Sequence, residues 1–161
     1  MPINEWEGLI LGDRDEYYMR QALLEAQKGG EQEEVPIGAV IVSNDRIIAR
    51  AHNLTERLKD VTAHAEMLAI TSAAQALGGK YLTGCTLYVT VEPCPMCAGA
   101  LGWSQIGRIV YGASDSKRGY SCFCSEATSP LHPKTKVISG VLADKCGEIM
   151  QYFFRRKRRK R

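Results

Sequence analysis

The chain has 161 residues, of which 21 are Lys or Arg and 18 are Asp or Glu, and 45% are hydrophobic. This length suits one ordinary domain with a buried core, so we expect residues 1–161 to form a single domain. Its apolar stretches are too short to span a membrane, and Asn4, Glu5 and Glu7 argue against a secretory signal peptide. Six cysteines without a secretion signal favour reduced thiols or metal ligands in the cytoplasm over a disulfide framework.

The charges are distributed unevenly along the chain. Residues 155–161 are all Lys or Arg, and the rest of the chain has 14 basic and 18 acidic residues, a net charge of −4. This basic C-terminal tail can be a solvated end, a localisation signal or an electrostatic arm for nucleic acid. At the other end, residues 1–12 are expected to be a poorly defined N-terminal extension.

The first predicted element is a helix over residues 15–28, whose apolar residues recur at helical spacing. Gly29-Gly30 is expected to end this helix. Two β-rich segments follow at residues 35–42 and 47–51, and the intervening Ser43-Asn44-Asp45 predicts a hairpin.

A second helix is expected over residues 62–77, with Thr62 as its N-cap and Gly78-Gly79 after its end. The rest of the chain alternates strands and helices: a strand at 86–91, a helix at 95–104, strands at 108–111 and 136–139, and a last helix at 143–157. This alternation predicts an α/β layer structure, in which the first hairpin is antiparallel and later strands are joined by helical crossovers.

Two short motifs about thirty residues apart carry the chemistry: His64-Ala65-Glu66 and Pro93-Cys94-Pro95-Met96-Cys97. His64, Cys94 and Cys97 are three candidate ligands for zinc, one fewer than structural zinc prefers, which leaves a fourth position for water. Glu66 lies two residues after His64, where a carboxylate can move protons beside that water without binding the metal. The motifs therefore predict one catalytic Zn²⁺ per chain, with Glu66 as the catalytic residue.

Each motif has a more ordinary interpretation by itself. A single CxxC can be a redox pair or half of a structural zinc site, and His-Ala-Glu can lie on a solvated helix face. The chain has no second CxxC that would complete a structural site. Together the two motifs match the H-x-E…P-C-x-x-C signature, and the chain is identified as similar to the zinc deaminases.

The predicted elements place all three ligands at helix N-termini. His64 is expected in the first turn of the second helix, and Cys94 and Cys97 at the start of the third. Positive helix ends favour thiolate over thiol, and Pro95 suits a first helical turn because its missing N–H costs nothing there.

Further segments resemble the bacterial-type tRNA adenosine deaminases of the cytidine-deaminase-like superfamily. The resemblance runs from about Glu16 to Arg158 and includes residues 34–40, 51–53, 62–67, 87–100 and 110–113. Its most specific parts are Asn53, the loop Asp115-Ser116-Lys117, and Phe153-Phe154-Arg155-Arg156. It implies a three-layer α/β/α fold around a five-stranded mixed sheet. It also implies zinc-dependent hydrolytic deamination of adenosine to inosine in tRNA, at the wobble position of the anticodon.

The resemblance assigns roles beyond the zinc motifs. Asn53 and Val35 would line the base pocket, and the backbone of Ala65 would hold the attacked edge of the base. The other expected substrate contacts, mainly to the anticodon stem-loop, are Asp115, Phe154, Arg155 and Arg156. A homodimer is implied as well. Without the resemblance, Asn53 would be read as a turn residue and Val35 as a core residue.

One stretch departs from the family pattern. Residues 119–132 are shorter and richer in proline than the helical segment usual there, so we expect no full helix. Cys122, Cys124 and His132 could suggest a second metal site, but a fourth ligand is missing and free thiols are favoured. Cys85 and Cys146 lie in periodic segments and are expected in the core.

In the implied mechanism, zinc lowers the pKa of water from 15.7 to about 7, and Glu66 transfers protons during attack on C6 of adenine. A free-base deaminase for guanine or cytosine is the alternative enzyme; such enzymes close their pocket with C-terminal residues and need no basic tail. A zinc-stabilised RNA-binding module is the non-enzymatic alternative, although it would need neither Glu66 nor an open ligand set.

Overall fold

The protein is described by a computed structural model that covers residues 11–160. The predicted N-terminal extension therefore falls almost entirely outside the described residues. The helices are α1 (Leu11–Glu31), α2 (Thr55–Leu58), α3 (Ala65–Leu77), α4 (Pro95–Ser104) and α5 (Ala143–Arg159). The strands are β1 (Gly38–Ser43), β2 (Arg46–His52), β3 (Cys85–Val91), β4 (Arg108–Ala113) and β5 (Lys136–Ile138).

The five strands form one mixed sheet in the order β2-β1-β3-β4-β5. The hairpin β1-β2 is antiparallel and contains a bulge between Ile41 and Val42, and β1 also pairs antiparallel with β3. The pairs β3-β4 and β4-β5 are parallel. The predicted antiparallel first hairpin and mixed sheet are thus confirmed.

Helices cover both faces of the sheet, which gives the expected three-layer α/β/α arrangement. On one face α1 and α5 enclose a cluster that includes Met19, Tyr88 and Cys146. On the other face α3 and α4 enclose a larger cluster that includes Leu87 and Leu101. Alternate residues of β3 feed the two clusters, which explains why this strand is apolar almost throughout.

Helix α1 continues through Gly29-Gly30 and ends at Glu31, so the predicted end at the glycines is wrong. The chain reverses only at Glu33, whose φ is 63°. Gly29 packs against β2, because a Cβ there would lie 3.1 Å from Nδ1 of His52. The glycine therefore permits a close approach between helix and strand instead of ending the helix.

The start of α3 also differs from the prediction. The backbone N–H and the hydroxyl of Thr62 both donate to Oδ1 of Asp60, at 2.8 and 2.7 Å, so Thr62 closes a turn and caps nothing. The N-cap is His64, and α3 begins at Ala65. Helix α2 was not predicted, since its four residues are too few to show a helical period.

Between β4 and β5 the chain contains only two short 3₁₀ turns, Tyr120–Cys122 and Glu126–Thr128. The expectation of no full helix in residues 119–132 is confirmed, whereas the expected helical crossover between these two strands is not found. Within residues 11–160, none of the helices combines the length and apolarity needed to cross a membrane.

Candidate metal centre and active-site cleft

The three predicted ligands meet where two helices begin. His64 is the N-cap of α3 and Cys94 is the N-cap of α4, and neither side chain caps its own helix. Cys97 lies one turn into α4 and is fully buried. Pro95 occupies the first position of α4, as expected. The side chains at both caps are therefore free to face a common point in front of the two helix N-termini.

The distances between the ligand atoms fit a zinc ion. Nδ1 of His64 lies 3.6 Å from Sγ of Cys94 and 3.5 Å from Sγ of Cys97. In a tetrahedral site with Zn–N near 2.05 Å and Zn–S near 2.3 Å, an N and an S ligand lie about 3.6 Å apart. All three ligand atoms are within 4.8 Å of one another. The donor set thus has the type, number and spacing of an open zinc site.

The two thiols are electrostatically different. The hydrogen bond from Cys97, aided by the imidazole of His64, lowers the pKa of Cys94 to about 5. The shared bond with Cys94, together with burial, raises the pKa of Cys97. Cys94 is therefore the thiol of the pair that loses its proton more readily, and the charge of a bound metal would favour loss of the proton from Cys97 as well.

Glu66 lies at the second position of α3, next to the ligand set. It is 4% exposed, and burial raises the pKa of its carboxyl group to about 7, while a backbone hydrogen bond acts in the opposite direction. A carboxyl group with a pKa near neutrality can both accept and donate a proton. Its position near the positive end of α3 also favours the charged form needed to accept one.

A cleft of about 630 Å³ opens over this centre. It lies beyond the C-terminal ends of β3 and β4, where α/β sheets commonly bind ligands. Five of the predicted site residues line it beside His64, Glu66 and Cys94: Val35, Asn53, Ala65, Asp115 and Phe154. The structure therefore brings together residues that are up to 119 positions apart, from Val35 to Phe154.

Asn53 and helix α2 form one wall of the cleft. The side chain of Asn53 is nearly buried, and its Oδ1 accepts a hydrogen bond from Thr55 N at 3.3 Å. Glu34 is 1% exposed and accepts bonds from the N–H groups of Glu56 and Arg57, at 2.9 and 2.8 Å. The N-terminal amides of α2 are thereby satisfied, and the Asn53 amide group is held at the cleft.

The opposite wall is the loop at residues 114–121. Asp115 lines the cleft, but its Oδ1 accepts bonds from the backbone N–H groups of Lys117 and Arg118, at 3.0 and 2.9 Å. The buried Glu92 accepts bonds from Asp115 N and from Ser121. Sequence reasoning missed Glu92, whose only signal was its place two residues before Cys94.

The predicted tail residues lie on different sides of α5. Phe153 is 2% exposed and packs in the core, whereas Phe154 is 43% exposed and lines the cleft. Arg155 lines a separate depression of about 380 Å³ beside Phe154. Arg156 turns towards the reversal after α1, where its guanidinium lies 3.4 Å from a carboxylate oxygen of Glu33. The RNA contacts predicted for Phe154, Arg155 and Arg156 stay predictions.

Further lining residues were not singled out from the sequence: Ile37, Thr55, Val91, Arg118 and Met150. These are ordinary loop, strand or helix residues in the sequence, and only the fold gives them a shared surface. Cys85 and Cys146 are buried, as expected. Cys122 is exposed and points its thiol at the carbonyl oxygens of Asp115 and Ser116, at 3.5 and 3.3 Å.

The chain matches known proteins along most of its length. Residues 13–113 match the family described as the cytidine and deoxycytidylate deaminase zinc-binding region. A tRNA-specific adenosine deaminase from Bacillus subtilis (strain 168) is 49% identical over 154 residues, which cover 92% of this chain and 93% of that protein.

Solved structures agree with this result. One comes from a study of A-to-I editing by tRNA:A34 deaminases at the wobble position of transfer RNA. It is 45% identical, with a TM-score of 0.76, and the match covers 83% of this chain and 98% of that one. A guanine deaminase from Bacillus subtilis is 40% identical with a TM-score of 0.59, but that match covers only 62% of this chain and 64% of that one.

The ligand geometry, the buried carboxylate beside it and these similarities lead to one conclusion. This chain belongs to the cytidine and deoxycytidylate deaminase family, among the relatives of the tRNA-specific adenosine deaminases.

Proposed function

We propose that this protein deaminates adenosine to inosine in tRNA, with zinc as its cofactor and the wobble position of the anticodon as its target. The observation that carries the proposal is the buried Glu66 carboxyl group beside an open set of three zinc ligands, at the floor of a substrate-sized cleft. The tRNA part of the proposal is supported by the relatives named above.

Glu66 performs the proton transfers of the reaction. It accepts a proton from the attacking water and delivers it to the ring nitrogen next to C6. It then takes the remaining proton from the new hydroxyl group on C6 and gives it to the amino group, so that the C6–N bond breaks as the C6 carbonyl forms. Water and adenosine are thereby converted into inosine and ammonia. When bound to His64, Cys94 and Cys97, zinc supplies a Lewis acid that lowers the pKa of water from 15.7 to about 7.

Other cleft residues hold the base. Val35, Ile37 and Val91 offer an apolar surface for the ring, and the amide nitrogen of Asn53 is available to a base because its oxygen is used by Thr55. The backbone N–H of Ala65, in the first turn of α3, has no partner within the helix and is suited to a polar edge of the base.

The outer parts of the molecule favour a large anionic substrate. Lys117 and Arg118 line the cleft, and Phe154 adds an exposed aromatic ring at its rim. Cations and an aromatic ring beside a base pocket suit a splayed RNA loop, in which phosphates are paired and bases are stacked. This combination supports the anticodon stem-loop as the bound segment.

The proposal also covers the oligomeric state and the cellular compartment of the protein. Met96 and Trp103 are seven residues apart on α4 and are 36% and 86% exposed, which supports a homodimer contact on this helix. The similarity to tRNA-specific adenosine deaminases supports the cytoplasm as the compartment.

A free-base deaminase is the second candidate, because of the similarity to guanine deaminase. The composition of the cleft argues against it, since Lys117, Arg118 and the exposed ring of Phe154 suit an RNA loop better than a small neutral base.

The deciding experiment uses the zinc-loaded protein. It is incubated with total tRNA and, in parallel, with free adenine, guanine and cytosine, and nucleosides and ammonia are then measured. We expect inosine in tRNA, ammonia in equal amount, and one zinc per chain by metal analysis. Ammonia from a free base without inosine in tRNA would overturn the proposal in favour of the second candidate.

A further inference from the structure

Glu92 is a carboxylate buried at the end of β3, where it is 5% exposed. Its Oε1 accepts a hydrogen bond from Asp115 N at 3.2 Å. Its Oε2 accepts two bonds from Ser121, from the N–H at 3.1 Å and from the hydroxyl at 2.6 Å. Both ends of the loop at residues 114–121 are thus bonded to one side chain from another part of the chain.

Within the loop, a second carboxylate, that of Asp115, also accepts hydrogen bonds from backbone amides. The Asp115 carboxylate holds the amides of Lys117 and Arg118, and the Asp115 carbonyl accepts a bond from Gly119 N at 3.0 Å. The side chains of Asp115, Lys117 and Arg118 line the cleft. The bonds to Glu92 therefore determine where this wall of the cleft lies.

Two further contacts connect the wall to the metal ligands. Gly119 packs so closely on Glu92 that a Cβ at this position would clash with the carboxylate. Tyr120 N donates to the carbonyl of Pro93 at 2.9 Å, directly before the ligand Cys94. The loop is consequently held by the two residues that precede Cys94.

We propose that Glu92 is a positioning residue that aligns the substrate-binding loop at residues 114–121 with the metal centre. The inference rests on the proposed function, because the loop acts on whatever substrate fills the cleft. Glu92 neither binds the metal nor transfers protons; its carboxylate holds the loop through two backbone amides and the Ser121 hydroxyl. It therefore contributes to substrate affinity, equally in the ground state and the transition state, and not to the chemical step.

Three variants weaken the contact in different ways. Glu92→Gln replaces one acceptor oxygen by a donor, Ser121→Ala removes only the hydroxyl bond, and Gly119→Ala inserts a methyl group against the carboxylate. The matched controls are Glu126→Gln, an exposed glutamate in the same connection, and Gly84→Ala, where a Cβ meets nothing within 4 Å.

Steady-state kinetics on an anticodon stem-loop, with zinc content measured for each protein, provide the first test. We expect KM to rise about tenfold in Glu92→Gln and Gly119→Ala and about threefold in Ser121→Ala, with kcat changed less than about threefold. Zinc content and both controls should match the wild type. A merely destabilised protein would lose active enzyme and hence apparent kcat without a change in KM. An unchanged KM, or zinc lost in proportion to activity, would overturn the proposal.

Hydrogen exchange provides a test that needs no substrate. The amides of Asp115 and Ser121 are protected by Glu92, so exchange in residues 114–121 should become about tenfold faster in Glu92→Gln, while β3 and α3 stay as in the wild type. Unchanged exchange in the loop would contradict the inference even if the protein deaminates tRNA. An inactive wild type with accelerated exchange in the variant would instead refute the proposed function alone.

Discussion

Glu66 combines a carboxyl group with nearly complete burial, at the start of a helix and beside three ligand atoms. Glu66→Gln keeps the shape but cannot carry protons. We expect zinc content and tRNA affinity to be retained, while turnover falls at least about a hundredfold. The control is Glu148→Gln, an exposed glutamate on α5 that should retain full activity. Near-normal turnover in Glu66→Gln would remove Glu66 from the mechanism, and loss of zinc would identify it as a ligand.

In the metal-free protein, Glu66→Gln should also change how the free energy of unfolding depends on pH. Burial raises the pKa of Glu66 from 4.5 to about 7, so between these pH values the folded state keeps a proton that the unfolded state has released. Stability therefore falls as pH rises through this window, by about 3 kcal/mol at most. Gln does not titrate, so metal-free Glu66→Gln should lose less stability than metal-free wild type. Urea unfolding of both metal-free proteins at pH 5 and pH 8 measures these losses. An equal loss of stability in the wild type and in Glu66→Gln would contradict the prediction.

The zinc ligands and Glu66 could be predicted from the sequence because their chemistry requires particular residue types at short spacings. Glu34 and Glu92 could not be found in this way. Apart from the Ser121 hydroxyl, their partners are backbone amides 22 to 29 residues away, and almost any residue type can supply a backbone amide. A buried glutamate of this kind has no sequence pattern, and only the folded chain shows what it binds.

At the scale of helices and strands, most elements were predictable from periodicity, and the errors lie at their ends. Gly29-Gly30 looks like a helix stop but serves close packing on His52, and Thr62 looks like an N-cap but bonds to Asp60. At Gly29 a contact with another segment decided the local structure, whereas at Thr62 a side-chain bond within one turn did. Propensity alone carries no information on such contacts.

The C-caps of α3 and α4 have the same backbone conformation but different residue types, a glycine and a glutamine. Both adopt the left-handed conformation, with φ of 73° at Gly78 and 55° at Gln105. This conformation is strained for residues with a Cβ. Gln105→Gly should therefore raise the free energy of unfolding by about 0.5–1 kcal/mol, and Gly78→Ala should lower it by about 1 kcal/mol. Denaturant unfolding of both variants with unchanged m-values checks the pair. A loss of stability in Gln105→Gly would mean that its side chain makes a contact worth more than the strain.

At the scale of the whole molecule, the cleft is assembled from the end of β3, the N-termini of α2, α3 and α4, neighbouring loops, and α5. The last helix was expected to reach residue 157, and α5 continues to Arg159, through most of the basic tail. Arg156 and Lys160 both approach Glu33, at 3.4 and 3.7 Å, so part of the tail is held against the body of the protein. These pairs are largely exposed and each contributes little to stability.

Truncation after Arg156 tests the tail. It removes five cations, and each that contacts a phosphate contributes about 0.7 to the salt slope of single-stranded RNA binding. We expect weaker tRNA binding, a flatter dependence on salt, and little change in turnover at saturating tRNA. Binding across a salt series on an anticodon stem-loop measures this effect. Identical affinity and slope in both proteins would show that the tail is only solvated.

A point substitution at Phe154 complements the truncation. Phe154→Ala should lower turnover as well as affinity, since the ring lines the cleft and positions the loop of the RNA. Tyr152→Ala is the control, because Tyr152 is 64% exposed on the same helix and does not line the cleft. Truncation before Phe153 is less informative, because it also removes a core residue. Equal turnover in the two point variants would exclude a role of Phe154 in placing the target base.

Trypsin cleaves after arginine and lysine, so the basic residues of α5 are also trypsin sites. They are protected from cleavage only while the helix remains folded. The helix supplies Met150 and Phe154 to the cleft, and Arg156 and Lys160 attach its end to Glu33. We therefore expect a ligand that touches the cleft rim to slow the unwinding that a protease needs. The rate at which trypsin shortens this protein would then report on occupancy of its active site, without a label and without turnover.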